Sequence, residues 1–295
     1  MSCEGIYPAI ITPFATDGSV DERKLVDLTQ TLERAGVSGI LVAGGTGEAV
    51  ALSQDERKRA IRLVRDCTRR IVIAGVVTPG LGDAVDLAEY SKDVGADAVL
   101  LVAPYYGNPS QRGISAYYSS VAQKVDIPIL MYNIPYKTGV NTEPETVAGL
   151  AQKHDNIIGI KECARDLAQL SILVKLVSDK ISILSGEDDL FFPSMMLGAK
   201  GGILATANLI PNMWLNLFRY CQKGEVEKAK KLHYEVLPLI RTLFSQPNPT
   251  GLKTVMQAEG MPAGHTREPI LPPTEEYVES VLKAWRTFKE ISVEA

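Results

Sequence analysis

Eight short apolar runs punctuate the chain at fairly regular intervals. They are GIYPAIIT from Gly5, GILVAG from Gly39, IVIAGV from Ile71, AVLLVA from Ala98, IPILMYN from Ile127, IIGIK from Ile157, ISILSG from Ile181 and GILATA from Gly202. Most are rich in Val, Ile and Leu without polar alternation, as expected of parallel strands covered on both faces. Between them the period changes. Leu25, Leu28 and Leu32 recur at three- and four-residue steps until Gly36 stops the run. Ser53-Gln54-Asp55-Glu56 reads as a capping box, with Glu56 reaching back to the Ser53 backbone. Strand then helix, eight times over, predicts an α/β fold of the (β/α)8 TIM barrel type, with an open doubly wound sheet as the competing arrangement. The last strand is expected to end near Ala207. From about Glu225 the pattern is helical, broken by QPNPTG and MPAGHTREPILPP. The organisation this predicts is a barrel over residues 1–224 and a C-terminal helical extension over residues 225–295, packed on the barrel.

Composition narrows the function. Hydrophobic residues make up 45% of the 295 and charged ones 22%, the balance of a soluble globular protein with a sizeable core. A net charge of −4 leaves no basic footprint for nucleic acid. The densest basic clusters, Arg57-Lys58-Arg59 and Lys228 to Lys231, fall in helical patterns and read as solvated faces. No apolar run approaches the roughly 18 residues of a membrane span. The opening MSCEGIYPAIITPF lacks the charged-then-apolar order of a signal peptide. Cys3, Cys67, Cys163 and Cys221 form no CxxC pair, which argues against zinc or a disulfide scaffold and fits a reducing compartment. His154, His233 and His265 stand apart from one another and from the acidic clusters. A histidine metal site or a Ser-His-Asp triad is therefore not expected, and any chemistry must come from other residues.

In a barrel of this kind the C-terminal strand ends surround the active-site mouth. Those ends carry Gly44-Gly45-Thr46-Gly47-Glu48, Pro104-Tyr105-Tyr106, Tyr132-Asn133, Lys161 and Ser185-Gly186-Glu187-Asp188-Asp189. GGTGE is neither a dinucleotide fingerprint nor a P-loop. It offers free backbone N–H groups and the Thr46 hydroxyl, which suit a small carboxylate, or it is simply a tight strand-to-helix turn. Lys161 has two readings as well. It is a lysine snorkelling out to a surface acid, or it is a Schiff-base amine, which attacks a ketone only when unprotonated, a form that a dry interior favours. Glu162 points the opposite way along the strand and reads as a barrel–helix contact. Tyr132 is a core tyrosine or a proton carrier beside the amine, and Tyr105 and Tyr106 share that ambiguity. Lys137, in IPYKTG, is a loop cation that either holds a carboxylate or meets solvent.

Taken together, the motifs resemble the dihydrodipicolinate synthase/N-acetylneuraminate lyase family of pyruvate-dependent class I aldolases. The likeness runs through GIYPAIITPF, AGGTGEAVALS, PYYGNPSQ, YNIPYKTGV, NIIGIKE, LSGEDD, GGILATAN and PNPTGLK, in family order and at family spacing. It implies Lys161 as the Schiff-base lysine and Tyr132 as its proton-transfer partner. It also implies Thr46 and Gly47 at the pyruvyl carboxylate with the Ile203 carbonyl close by, and Tyr106 reaching across a dimer interface. A cytoplasmic homotetramer built from dimers, needing no metal or nucleotide cofactor, is expected, acting on small molecules and on neither nucleic acid nor membrane.

Two positions depart from the synthase pattern. Synthases usually carry two threonines where this chain has Gly45-Thr46, so one hydroxyl of the proton relay is missing. They also place an arginine where Lys137 stands, and lysine keeps the charge but loses the two-pronged fork. The reaction the resemblance implies is condensation of pyruvate with an aldehyde, aspartate semialdehyde first, as in lysine biosynthesis. The alternatives are a 2-keto-3-deoxy sugar acid aldolase or dehydratase, an N-acetylneuraminate lyase-like aldolase, and a non-catalytic pyruvate-binding homologue.

Overall fold

The computed structural model describes residues 3–293. Residues 1–2 and 294–295, the outermost ends of the two predicted spans, lie outside the described residues. Each apolar run becomes a strand: β1 (Gly5–Pro8), β2 (Gly39–Val42), β3 (Ile71–Val76), β4 (Ala98–Val102), β5 (Ile129–Asn133), β6 (Ile157–Glu162), β7 (Ser182–Ser185) and β8 (Gly201–Leu204). All pairings are parallel, each strand lies beside its sequence neighbour, and β1 pairs with β8. A bridge between Ala9 and Leu41, with Ile10 N–H donating to Leu41 C=O at 2.9 Å, closes the ring between β1 and β2. Closure leaves no place for the open doubly wound sheet. The fold is a (β/α)8 barrel.

The helices α1 (Glu22–Ala35), α2 (Gln54–Cys67), α3 (Leu81–Asp93), α4 (Gln111–Lys124), a single turn α5 (Pro135–Thr138), α6 (Pro144–Lys153), α7 (Leu167–Val177), α8 (Phe191–Leu197) and α9 (Pro211–Gln222) follow the strands. Helix α1 buries Leu25, Leu28 and Leu32 and ends at Gly36, whose φ of 90° no branched residue would adopt readily. The capping box forms: Ser53 N–H donates to Glu56 Oε2 at 2.8 Å and Glu56 N–H to Ser53 Oγ at 3.2 Å. Beyond the barrel come α10 (Val226–Leu243), α11 (Thr250–Ala258) and α12 (Glu275–Val293), with breaks at QPNPTG and at the proline-rich segment.

Two details differ from the sequence expectation. Strand β8 stops at Leu204, because residues 206–208 tighten into a 3₁₀ turn. Thr206 is held there by Asp188, whose Oδ1 accepts its N–H at 2.8 Å, and its Oγ1 accepts from Trp214 Nε1 at 2.8 Å. Arg57 is also no free surface cation. Its Nε donates to Ala49 C=O at 2.8 Å and ties α2 back to the barrel mouth.

Strand side chains alternate between two cores. Ile6, Ile40, Val72, Val99, Ile129, Ile160 and Ile183 pack outward under the helices. Tyr7, Leu41, Ile73, Leu100, Leu130, Leu184 and Ile203 fill the barrel interior. The alternation was invisible in the sequence because both faces of every strand are apolar.

Candidate active site

The same alternation fixes where the chemistry-bearing residues point. Ile160 faces the helices, so Lys161 turns inward, Glu162 outward and Cys163 inward again. In register, Lys161 stands opposite Tyr132 on β5 and Leu184 on β7. Both belong to the interior core. Lys161 is only 5% exposed, and its Nζ lies 4.7 Å from the centre of the Tyr132 ring. Burial, reinforced by Cys163 and Tyr136 nearby, raises Tyr132 well above the ordinary phenol value, so its hydroxyl keeps its proton at neutral pH.

Gly186, after β7, leaves the room this lysine occupies. A Cβ there would sit 2.1 Å from Cys163 Sγ and 2.6 Å from Lys161 Cε. Cys163 is 1% exposed, and burial pushes its thiol well above the usual range. It is a packing residue against the lysine stem rather than a thiolate nucleophile.

The Lys161–Tyr132 pair forms the floor of a cavity of about 710 Å³ whose walls include Gly45, Thr46, Ile203, Tyr136, Lys137, Arg165 and Glu187. The GGTGE turn is held from behind. Thr12 Oγ1 donates to Gly47 C=O at 2.7 Å, and Asn248 Nδ2 donates to Thr46 Oγ1 at 2.9 Å. Because Thr46 accepts that bond, its hydroxyl hydrogen is free to point elsewhere. Glu48 is buried against Lys253, with Nζ 2.7 Å from Oε1, an ion contact rather than an aligned hydrogen bond. The Lys253 amine donates instead to Thr12 C=O at 2.8 Å and His265 C=O at 2.7 Å.

Gly45 has no side chain to offer. A Cβ there would meet only the Tyr132 hydroxyl, at 3.8 Å. Across the cavity, Arg165 is bound by both Glu187 and Asp189, and Tyr136 donates to Glu187 Oε1 at 2.8 Å. Lys137 has no carboxylate partner among the described ion pairs. Lys137 is solvent-exposed at the mouth of the cavity; partial desolvation by the surrounding walls first, and the charge of Lys161 second, hold it below the ordinary lysine value. Asp188 is committed to Ala205 and Thr206, and burial pushes it up to about 6.

Lys161, Tyr132, Thr46, Gly45, Lys137 and Ile203 thus share one cavity. Gly47 lies just behind its wall, against Ile10 C=O. Tyr106 does not join them. It is 99% exposed in the loop after β4, outside the cavity. Sequence reasoning missed Arg165, four residues past Lys161, and the cover supplied by Ile240, Arg241 and residues 244–248. QPNPTG reads as a helix break, and nothing local reveals that the break folds over the mouth.

A family model described as the dihydrodipicolinate synthetase family matches residues 2–287. The 4-hydroxy-tetrahydrodipicolinate synthase of Methanothrix thermoacetophila is 40% identical over 273 residues, covering 92% of each chain. The protein of that name from Methanocaldococcus jannaschii is 41% identical, over 95% of this chain and 98% of its own. A chloride-inhibited dihydrodipicolinate synthase from Acinetobacter baumannii, complexed with pyruvate, superposes with a TM-score of 0.94 at 32% identity, covering 98% of this chain and 99% of that one. Agreement over nearly the full length of both partners makes this barrel an enzyme of the lyase class. The chain belongs to the dihydrodipicolinate synthetase family.

Proposed function

We propose that this chain is a 4-hydroxy-tetrahydrodipicolinate synthase, condensing pyruvate with aspartate semialdehyde through a Schiff base on Lys161. The observation that carries the reading is the buried amine over the Tyr132 ring at the floor of the cavity. The name and coverage of the methanogen relatives support the choice of reaction. The pyruvate bound to the Acinetobacter baumannii protein supports the first substrate.

The proposed sequence begins with the pyruvyl carboxylate at Thr46 and Gly47, near the Ile203 carbonyl. Neutral Lys161 adds to the ketone carbon, and Tyr132 gives its proton to the departing hydroxyl, so that water leaves and an iminium remains. The Tyr132 phenolate takes a methyl proton, turning the iminium into an enamine whose carbon attacks the aldehyde, and the phenol returns that proton to the new alkoxide. Lys137 meets the aldehyde's carboxylate as a point charge. The covalent imine does the work a cofactor would otherwise do, and neither metal nor nucleotide has a step.

Tyr106, fully exposed on a strained loop with φ 71°, fits a residue completed by a second copy. We assign the chain to a cytoplasmic homotetramer built from dimers, its barrel over residues 1–224 and its helical extension over residues 225–295. No described helix is long and apolar enough to cross a membrane. A second reading, a 2-keto-3-deoxy sugar acid aldolase or dehydratase, draws on Gly45 and Lys137, which leave the proton relay and the carboxylate clamp unlike the synthase pattern.

Borohydride reduction in the presence of pyruvate tests the mechanism. The intact mass gains one reduced pyruvyl group, and peptide mapping places it on Lys161. No gain, or an adduct confined to another lysine, refutes it. Turnover of aspartate semialdehyde, a keto-deoxy sugar acid and sialic acid, compared side by side, selects the reaction.

A further inference from the structure

A second pair of side chains stands behind the first. The β5–β6 register that sets Tyr132 opposite Lys161 sets Asn133 opposite Glu162 one residue later, on the outer face of the barrel. Both are buried. Asn133 Nδ2 donates to the two Glu162 oxygens at 3.0 and 3.1 Å, and Ala164 N–H donates to Oε1 at 2.6 Å. Glu162 is therefore an acceptor in every bond, the pattern of a carboxylate rather than a carboxylic acid.

Asn133 carries the connection further. Its Oδ1 accepts Thr142 N–H at 3.0 Å, and its Nδ2 also donates to Asn141 Oδ1 at 2.9 Å. Asn141 Nδ2 in turn donates to Gln169 Oε1 on α7 at 2.7 Å. The segment between Asn133 and Thr142 is the one that carries Tyr136 and Lys137. One amide thus ties together the strand of Tyr132, the strand of Lys161 and the root of the Lys137 loop.

We propose that Glu162 is a positioning residue: its carboxylate, acting through Asn133, holds the Lys161–Tyr132 pair and the Lys137 loop in their working arrangement, and its protonation slackens both. Protonation would set an O–H among the three bonds made by two donors, the Asn133 amide and the Ala164 N–H, and at least one of those bonds would be lost. Burial pushes Glu162 up to about 7, against the bonds from Asn133 and Ala164 that pull it down. It is charged above that value and neutral below it, so an acid limb of activity near pH 7 follows.

The groups around it do not supply that limb. Tyr118 of α4 and Cys163 are both raised by burial and stay neutral. Arg165, Asp166 and Glu187 share the small cleft beside Glu162. Arg165 is bound to Glu187 and Asp189, and Asp166 caps α7 by accepting from Ala168 and Gln169.

The inference rests on the Schiff-base reading, and its test separates the two. The rate of pyruvate–cyanoborohydride trapping is followed from pH 5.5 to 9 in the wild type, in Glu162→Gln, and in Glu162→Gln combined with Asn133→Asp. Glutamine turns an N–H toward the Asn133 amide, donor against donor, whereas the double exchange restores a donor facing an acceptor. Losing one such bond predicts trapping about tenfold slower at pH 8 in Glu162→Gln. That variant shows no limb near pH 7, and the double variant recovers most of the rate. Absence of any adduct in the wild type refutes the Schiff-base reading. An adduct whose acid limb is the same in Glu162→Gln as in the wild type, or a double variant no faster than the single one, refutes the positioning role alone.

Discussion

Lys161 and Tyr132 are register partners across β5 and β6, with the amine nitrogen 4.7 Å from the centre of the phenol ring. The ring supports the lysine by contact and the hydroxyl is the part available for proton transfer, so the two contributions can be separated. Tyr132→Phe keeps the ring and removes the hydroxyl. It is expected to slow turnover by about 10²–10⁴-fold, the scale of a positioned proton donor, while leaving the thermal unfolding transition near that of the wild type. Lys161→Ala is expected to abolish both turnover and the pyruvate adduct. A wild-type rate in Tyr132→Phe would make the tyrosine a core residue only.

Gly186→Ala tests whether the room that Gly186 leaves for Lys161 matters. The added methyl would lie 2.6 Å from Lys161 Cε and 2.1 Å from Cys163 Sγ, closer than packed carbons tolerate. Overpacking of this kind costs about 1–3 kcal/mol of stability. Displacing the amine by an ångström is expected to lower kcat/KM by about a hundredfold or more. Adding Cys163→Ala relieves the sulfur contact but not the one with Lys161, so stability should recover further than activity. Equal recovery of both would mean that the crowding acts through Cys163.

Much of this arrangement was legible in the sequence, for reasons that particular residues make plain. The eight apolar runs became strands because each is buried on both faces, and a run such as IIGIK can end on an amine only where that amine has a use or an exit. The end of β8 was misplaced because GILATA stays apolar past Leu204, while the turn that ends it depends on Asp188 and Trp214, remote in sequence. The cover over the cavity was illegible for the same reason: Asn248 meets Thr46 only after α10 has folded back across the mouth. Glu162 was readable as outward-facing from its adjacency to Lys161. Its bond to Asn133 needed the strand register.

The buried Glu48–Lys253 pair is expected to be a stability element tied to the turn of residues 44–48. Both side chains are almost wholly buried, at 1% and 3% exposure. Removing one member leaves the other charge uncompensated, which costs about 3–5 kcal/mol. Lys253→Met should lower the urea midpoint accordingly. Lys253→Met combined with Glu48→Gln should regain part of the loss, because no orphan charge remains. A midpoint unchanged by Lys253→Met would show that water reaches the pair. Since the Lys253 amine also holds the Thr12 carbonyl, and Thr12 holds Gly47, half-saturation by pyruvate in the trapping assay should rise in the same variant.

On the proposed reading, substrate choice turns on Lys137 and Gly45. Lys137 lacks a carboxylate partner among the described ion pairs, faces the cavity and lies near Lys161. If it binds the aldehyde's carboxylate, Lys137→Ala removes a charge-assisted hydrogen bond worth about 1.5–3 kcal/mol, a loss of about ten- to over a hundredfold in kcat/KM for aspartate semialdehyde. Pyruvate trapping should change far less. Lys137→Arg restores a charge with a two-pronged fork and should match or exceed the wild type on that aldehyde. Gly45→Thr has room for its Cβ, which meets only the Tyr132 hydroxyl at 3.8 Å, and it would return a hydroxyl beside the phenol. Faster synthase turnover in Gly45→Thr would identify the missing hydroxyl as a relay member. Unchanged aspartate semialdehyde kinetics in Lys137→Ala, together with wild-type turnover of a keto-deoxy sugar acid, would overturn the synthase assignment. The Lys161 imine would survive it, because a keto-deoxy sugar acid would be processed through the same buried amine.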